Sequence, residues 1–222
     1  MQIDGFILQL ISGAKITICI SILSILFGVL LGLLWAICAL KKEMSILQNS
    51  IVIFNSIIRG MPEILIIFGM YFGGAVFINN ILHLNISVNP FIVGVLGLAL
   101  IYGAYAMQVF IGAILMIPHG QIDSGRALGL SPVFTFFHIL LPQIFRYSLP
   151  GLSNLCLVTL KDSSLVALIG LQDLLFSAQV ASNESFKPFT YYMLSALMYL
   201  ILTSFFEIIF KIIYNKYRHG FK

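Results

Sequence analysis

"ITICISILSILFGVLLGLLWAICAL", residues 16–40, contains no Asp, Glu, Lys or Arg. About 20 such residues in an α-helix cross the hydrocarbon core of a bilayer, with every backbone N–H and C=O bonded inside the segment. Further uncharged runs extend from Ile64 to Ile122 and from Pro188 to Phe206. Over all 222 residues, 60% are hydrophobic and 9% charged, and mean hydropathy is +1.05. A soluble domain has about a quarter of its residues charged. The chain is therefore read as an integral membrane protein, and soluble classes are excluded. The alternating ten-residue pattern of a membrane β-barrel is absent, so the fold class is all-α, a polytopic bundle.

The Asn, His and Pro cluster "NNILHLNISVNP" (79–90) divides the longest run into two spans. A fourth span precedes Gly170, interrupted by Lys161 and Asp162. Five spans result: Lys15 to Leu40, Leu47 to Ile78, Phe91 to Ile117, Ile144 to Gly170 and Phe189 to Ile213. Lys41 and Lys42, then Arg126 and Arg146, then Lys211, Lys216, Arg218 and Lys222 all fall on one side of such a bundle. Because basic residues collect in the cytoplasm, the expectation is an N-terminus outside and a C-terminus inside.

The net charge of +4 matches this basic bias, and no basic stripe with interleaved aromatics indicates nucleic acid. Cys19, Cys38 and Cys156 fall in spans without ligand-like spacing and read as small buried apolar residues. His83, His119, His138 and His219 form no metal-binding pair, so no metal site is expected. The first apolar segment lacks a basic leader and exceeds a signal peptide's length, which reads as a retained span. No internal repeat is evident, so one domain is expected over residues 1–222.

The polar segment "QIDSGRALGLSPVFTFFHILLPQ" (121–143) lies between spans three and four, on the cytoplasmic side of this topology. Asp123 suits a helix N-terminus. Ser124, Gly125 and Gly129 form a strip without bulk, against which another backbone can come close. Gly129 can supply the positive φ that ends a first helix, while Ser131 can cap and Pro132 begin a second. An elbow results, either an interfacial amphipathic connector or a docking element.

The pattern Asp123-Ser124-Gly125, three residues, Gly129, nine residues, Ile139-x-Leu141-Pro142 resembles the Glu-Ala-Ala loop of ABC-importer permeases. Asp replaces Glu, and Ser and Gly replace the two alanines; Gly125 weakens the helix by roughly 1 kcal/mol relative to Ala. "IIRGMPEILIIFGMYFG" (57–73), "IYGAYAMQVFIGAILMIPHGQ" (101–121) and "LPGLSNLCLVTLKDSSLVALIGLQDL" (149–174) are similar to the polar amino-acid permease family, in its histidine, lysine, arginine and ornithine branch.

The resemblance implies a type I ABC-importer fold of about five transmembrane helices, with residues 119–143 forming a cytoplasmic coupling loop. Asp123, Ser124, Gly125 and Gly129 would meet an ABC ATPase. It also implies a second permease subunit, making a homodimer or heterodimer, and a substrate-binding protein, with the chain multi-pass in a bacterial inner membrane. The absence of Gly-x4-Gly-Lys-Ser/Thr agrees with ATP and Mg being bound by the partner ATPase. This chain is then a transport subunit and not an enzyme.

Glu63 lies roughly 24 Å along span two, near or past the bilayer midplane, where an ionisable group is costly and usually functional. With Arg59 it is either a structural i, i+4 pair or part of a substrate path bent open by Pro62. Tyr102, Tyr105 and Gln108 share a rough face of span three, as a polar cleft for substrate or as plain packing. The family commonly has Glu and Arg at the positions of Gln108 and Ile111, and the cationic branch resembles this chain in having an acid at 63. Arg59, Lys161, Asp162 and Ser163 are candidates for a gate or subunit interface, with simple placement near the outer membrane surface the alternative for the Lys161–Ser163 segment. Gly28-x3-Gly32 and Gly69-x3-Gly73 permit close helix crossings.

The function implied is the permease subunit of an ATP-driven importer of polar, basic amino acids such as arginine. The alternative is a self-sufficient ion-coupled carrier or channel using Glu63, Lys161 and Asp162 as a relay, which leaves the elbow unexplained. An intramembrane enzyme lacks convergent catalytic residues.

Overall fold

The computed structural model describes residues 2–40, 45–81, 83, 87–118 and 120–218. Lys41, Lys42, His119, His219 and Lys222, and parts of the 79–90 segment, lie outside them. Every regular element among the described residues is helical. In chain order these are α1 (Gln2–Leu40), α2 (Ser45–Gly60), α3 (63–81), α4 (Pro90–Leu115), α5 (Gly120–Ala127), α6 (132–169), α7 (Leu174–Ser185) and α8 (Pro188–Arg218). Four are long and apolar enough to cross a membrane, and the bent pair α2–α3 makes a fifth if its two arms form one span.

The core is the pairing of α1 with α4. Ser24 Oγ donates to the Val95 carbonyl at 3.2 Å. Further along, Gly28 abuts Tyr102 and the Ala99 carbonyl, and Gly32 abuts Ala106 and Gly103. Contacts advance in the same direction on both helices, so α1 and α4 run parallel. The chain between them must return across the bundle once, which is the task of α2–α3. A Cβ on Gly28 would stand 2.6 Å from Tyr102 Cδ1, so the expected close crossing is present there. Gly69 and Gly73 differ: a Cβ on either meets nothing within 4 Å. They lie in a π-helical turn (Gly69–Gly73) that meets α4 through Met70 against Gly97, not through these glycines.

Several elements depart from the expected boundaries. Span one begins at Gln2 instead of Lys15, giving 39 helical residues and a length of about 58 Å. Its first turns have a protein surface to cover, since Leu10 is fully buried against a cluster with Leu174, Ala178 and Tyr191. Span two is two arms that meet at 110°. Pro62 has no N–H and adopts an extended ψ of 133°, which ends α2 at Gly60 and starts α3 at Glu63. Span four begins at Pro132, because a π-turn over Phe136–Leu140 carries the helix through Leu141 and Pro142 without a break. Helix α7 lies between the fourth and fifth expected spans, where the sequence reading places no helix. Cys156 is buried as expected, whereas Cys19 is exposed on the outer side of α1.

Candidate functional site

The 110° bend sets the site. Arg59 ends one arm and Glu63 begins the other, so they are not an i, i+4 pair on one continuous helix. Both are half-buried. Tyr105, midway along α4, lies within electrostatic reach of Glu63, Arg59 and Asp162, and Asp162 within reach of Glu63 and Lys161. Three chain segments far apart in sequence therefore converge on Tyr105, and the charges acting there are two carboxylates and one guanidinium. Such groups within a membrane are costly to bury and are retained where they face a path or a partner.

The other expected residues are placed differently. Tyr102 is 1% exposed and turns away from the bend, its hydroxyl donating to the Leu152 carbonyl at 3.3 Å and lying 3.4 Å from Cys156 Sγ. That bond ties α4 to α6. Gln108 is exposed a turn beyond Tyr105. The shared face expected of Tyr102, Tyr105 and Gln108 therefore divides between core and open surface. Ser163 is buried and bonds its own helix, Oγ to the Leu160 carbonyl at 2.7 Å. Lys161 is exposed and lines a groove with Ser164, Tyr199 and Thr203.

The elbow folds as its local chemistry dictates. Gly129 has φ +71°, and two hydrogen bonds close the end of α5: Leu130 N–H to the Gly125 carbonyl at 3.0 Å and Gly129 N–H to the Arg126 carbonyl at 2.9 Å. This is a Schellman motif, for which glycine suits the left-handed position. Ser131 then accepts from Phe134 N–H at 3.2 Å, with Pro132 in the first turn of α6. Asp123 and Ser124 are exposed, and Asp123 lies 3.6 Å from Arg126. Gly125 is buried against Thr135 of the opposite arm, while Gly129 faces open space. The small-residue strip thus serves two ends: Gly125 closes the elbow and Gly129 leaves it accessible. Leu128, Val133, Phe134 and Phe137 add an exposed apolar surface, and His138 stacks on Phe134 at 4.0 Å.

Two buried polar residues were not anticipated from the sequence. Asp173, in the turn before α7, is 0% exposed; its Oδ1 accepts from Phe176 N–H at 2.9 Å and its Oδ2 from Tyr199 Oη at 3.3 Å. Leu174 N–H donates to Thr17 Oγ1 at 3.1 Å, which fastens the same turn to α1. Burial pushes the Asp173 carboxyl up to about 6, opposed by the Phe176 and Leu175 N–H groups and Tyr199. An Asp directly before "LLFSAQVAS" is a helix-start signal that would have found α7. Asn55, fully buried on α2, has no such signal in its surroundings.

Comparison with known proteins agrees with this architecture. The chain is 39% identical, over 90% of its own length and 89% of the relative's, to the arginine ABC transporter permease protein ArtQ of Haemophilus influenzae. It is 30% identical to the histidine/lysine/arginine/ornithine transport system permease protein HisQ of Salmonella typhimurium, over 98% and 97% of the two chains. Its fold matches the crystal structure of an amino acid ABC transporter with histidines at a TM-score of 0.81, with 24% identity and 96% of each chain covered. Residues 28–219 match the family described as binding-protein-dependent transport system inner membrane component. The chain belongs to that family: it is a membrane-spanning permease subunit of an ABC importer, working with an ATPase and a binding protein.

Proposed function

We propose that this subunit forms part of the path for cationic amino acids, arginine or a close relative, and that Glu63, Asp162 and Tyr105 receive the positive side chain. The observation that carries this reading is the approach of two carboxylates, Glu63 and Asp162, to Tyr105, with Arg59 beside them and Lys161 next to Asp162. In a low-dielectric cleft a carboxylate attracts a cation far more strongly than in water, so a cationic side chain can compete with Arg59 and Lys161 for these groups. The substrates named for the ArtQ and HisQ relatives are of this class.

The elbow docks on the ATPase, through Asp123, Ser124 and Gly129 and the apolar surface beside them. ATP and Mg are bound by that partner, which carries out hydrolysis. A second permease, identical or related, covers the exposed Gln108 side and completes the path. The N-terminus lies outside and the C-terminus in the cytoplasm.

Glu63→Gln keeps the shape and removes the charge. In proteoliposomes holding the whole transporter and its binding protein, it should lower arginine uptake by about tenfold or more, the effect of losing a charged contact. Assembly and basal ATP hydrolysis should remain. Wild-type preference for glutamine over arginine and histidine, or arginine uptake unchanged by the substitution, would reject charge recognition.

A further inference from the structure

Asn55 is 0% exposed, and neither its amide nitrogen nor its carbonyl oxygen has a hydrogen-bond partner among the described residues. One turn on, Arg59 Nε is also buried without one. Four residues apart, the two share a helix face. That face is turned toward α4: Ile58 belongs to a buried cluster with Ile101 and Ala104, and Ile51 packs on one with Met107 and Phe110. A leucine would fill such a position without cost, whereas an unpaired buried amide costs about 1–3 kcal/mol. Buried polar groups are almost always satisfied, so an amide with both ends unused marks a place where another molecule supplies the bonds.

The donor set identifies that molecule's chemistry. Asn55 Nδ2 and the Arg59 guanidinium are donors suited to a carboxylate, and Asn55 Oδ1 is an acceptor suited to an ammonium. One amide thus matches both groups of a zwitterionic amino-acid head. Beyond Arg59, across the bend, stand the carboxylates of Glu63 and Asp162, with the Tyr105 hydroxyl near them and Lys161 beside Asp162. The carboxylates thus lie on the far side of Arg59 from Asn55, an order that matches a basic amino acid from its carboxylate to its cationic end.

We propose that Asn55 and Arg59 bind the α-amino-acid head of the substrate, with Glu63 and Asp162 taking its cationic end. This deepens the importer reading above and rests on it. Access to Asn55 comes from tilting α2 away from α4 about residues 60–62, where the helix is already interrupted. Asn55 is thus a specificity-determining residue, reading the group that every α-amino acid has in common.

The test is equilibrium binding to the purified transporter in lipid nanodiscs, without binding protein. The probes are arginine, agmatine (arginine without its carboxylate), glutamine and γ-aminobutyramide (glutamine without its carboxylate). The wild type should prefer arginine to agmatine by about tenfold or more. Asn55→Leu should collapse that preference while leaving agmatine binding, and should leave the melting temperature unchanged or raised. Asn55→Ser serves if the Leu variant does not assemble, and should narrow the same preference. A preference retained in either variant, or absent from the wild type, overturns the proposal. If the glutamine pair, and not the arginine pair, shows the Asn55-dependent preference, the head-group site stands and the cationic reading fails.

Discussion

Gly125 and Thr135 hold the two arms of the elbow together: a Cβ at position 125 would lie 3.0 Å from both Thr135 Cγ2 and Thr135 Oγ1. Gly125→Val drives two methyl groups into that contact, an overpacking that costs about 1–3 kcal/mol. The expected result is a protein that still inserts in the membrane but no longer co-purifies with its ATPase. Thr135→Ala opens space on the other side and should restore much of the association in the double variant. Failure of that rescue would place the defect elsewhere.

Gly129 tests docking separately from folding. Its Cβ would meet nothing within 4 Å in this chain, and Asp tolerates the left-handed backbone better than most residues. Gly129→Asp should therefore leave thermal stability almost unchanged, yet reduce coupled transport by at least about tenfold, since a carboxylate there must be desolvated when the ATPase packs on it. Normal uptake by this variant would remove the elbow from the docking surface.

The glycines of α1 and α3 should respond in opposite ways. Gly32→Leu brings a side chain to where even a Cβ stands 2.7 Å from Ala106 Cβ, and it should sharply lower the yield of folded protein in detergent. Gly69→Ala and Gly73→Ala have open space in this chain and should leave its melting temperature where it was. Equal sensitivity at all three positions would contradict the parallel α1–α4 contact.

Asp173 gives stability a pH dependence. Its folded-state value is raised from 3.8 to about 6, so the folded protein holds this proton more tightly than the unfolded chain does. The stabilisation is then complete below about 3.8 and lost as pH rises through about 6. Asp173→Asn keeps the cap on Phe176 and never ionises. Its melting temperature relative to wild type should therefore climb between pH 4 and 7, as followed by detergent thermal shift. A constant difference would mean that Asp173 does not titrate in this window.

Orientation can be read by labelling. Single cysteines at Ser87 and Asn215, in a background without Cys19, Cys38 and Cys156, should react with a membrane-impermeant maleimide from opposite faces of intact cells. Cys19 must be replaced because it is exposed. Labelling of both from one side would reject an odd number of crossings between them.

Much of this architecture follows from composition and near-neighbour chemistry. Charge-free runs such as residues 16–40 oblige the backbone to bond to itself in lipid, so membrane helices were legible from sequence. The elbow was equally legible, because Gly129, Ser131 and Pro132 act on bonds within five residues. Tertiary structure alone decided the 110° angle at the bend, the extension of α1 to Gln2 and the bond from Leu174 to Thr17 that ties α7 to α1. It also decided which polar residues meet. Tyr102 and Tyr105 are equivalent by helical spacing, yet one is held by Leu152 and the other faces Glu63 and Asp162. Spacing along one helix determines which side chains share a face; what that face meets depends on the packing of segments up to 157 residues away in sequence.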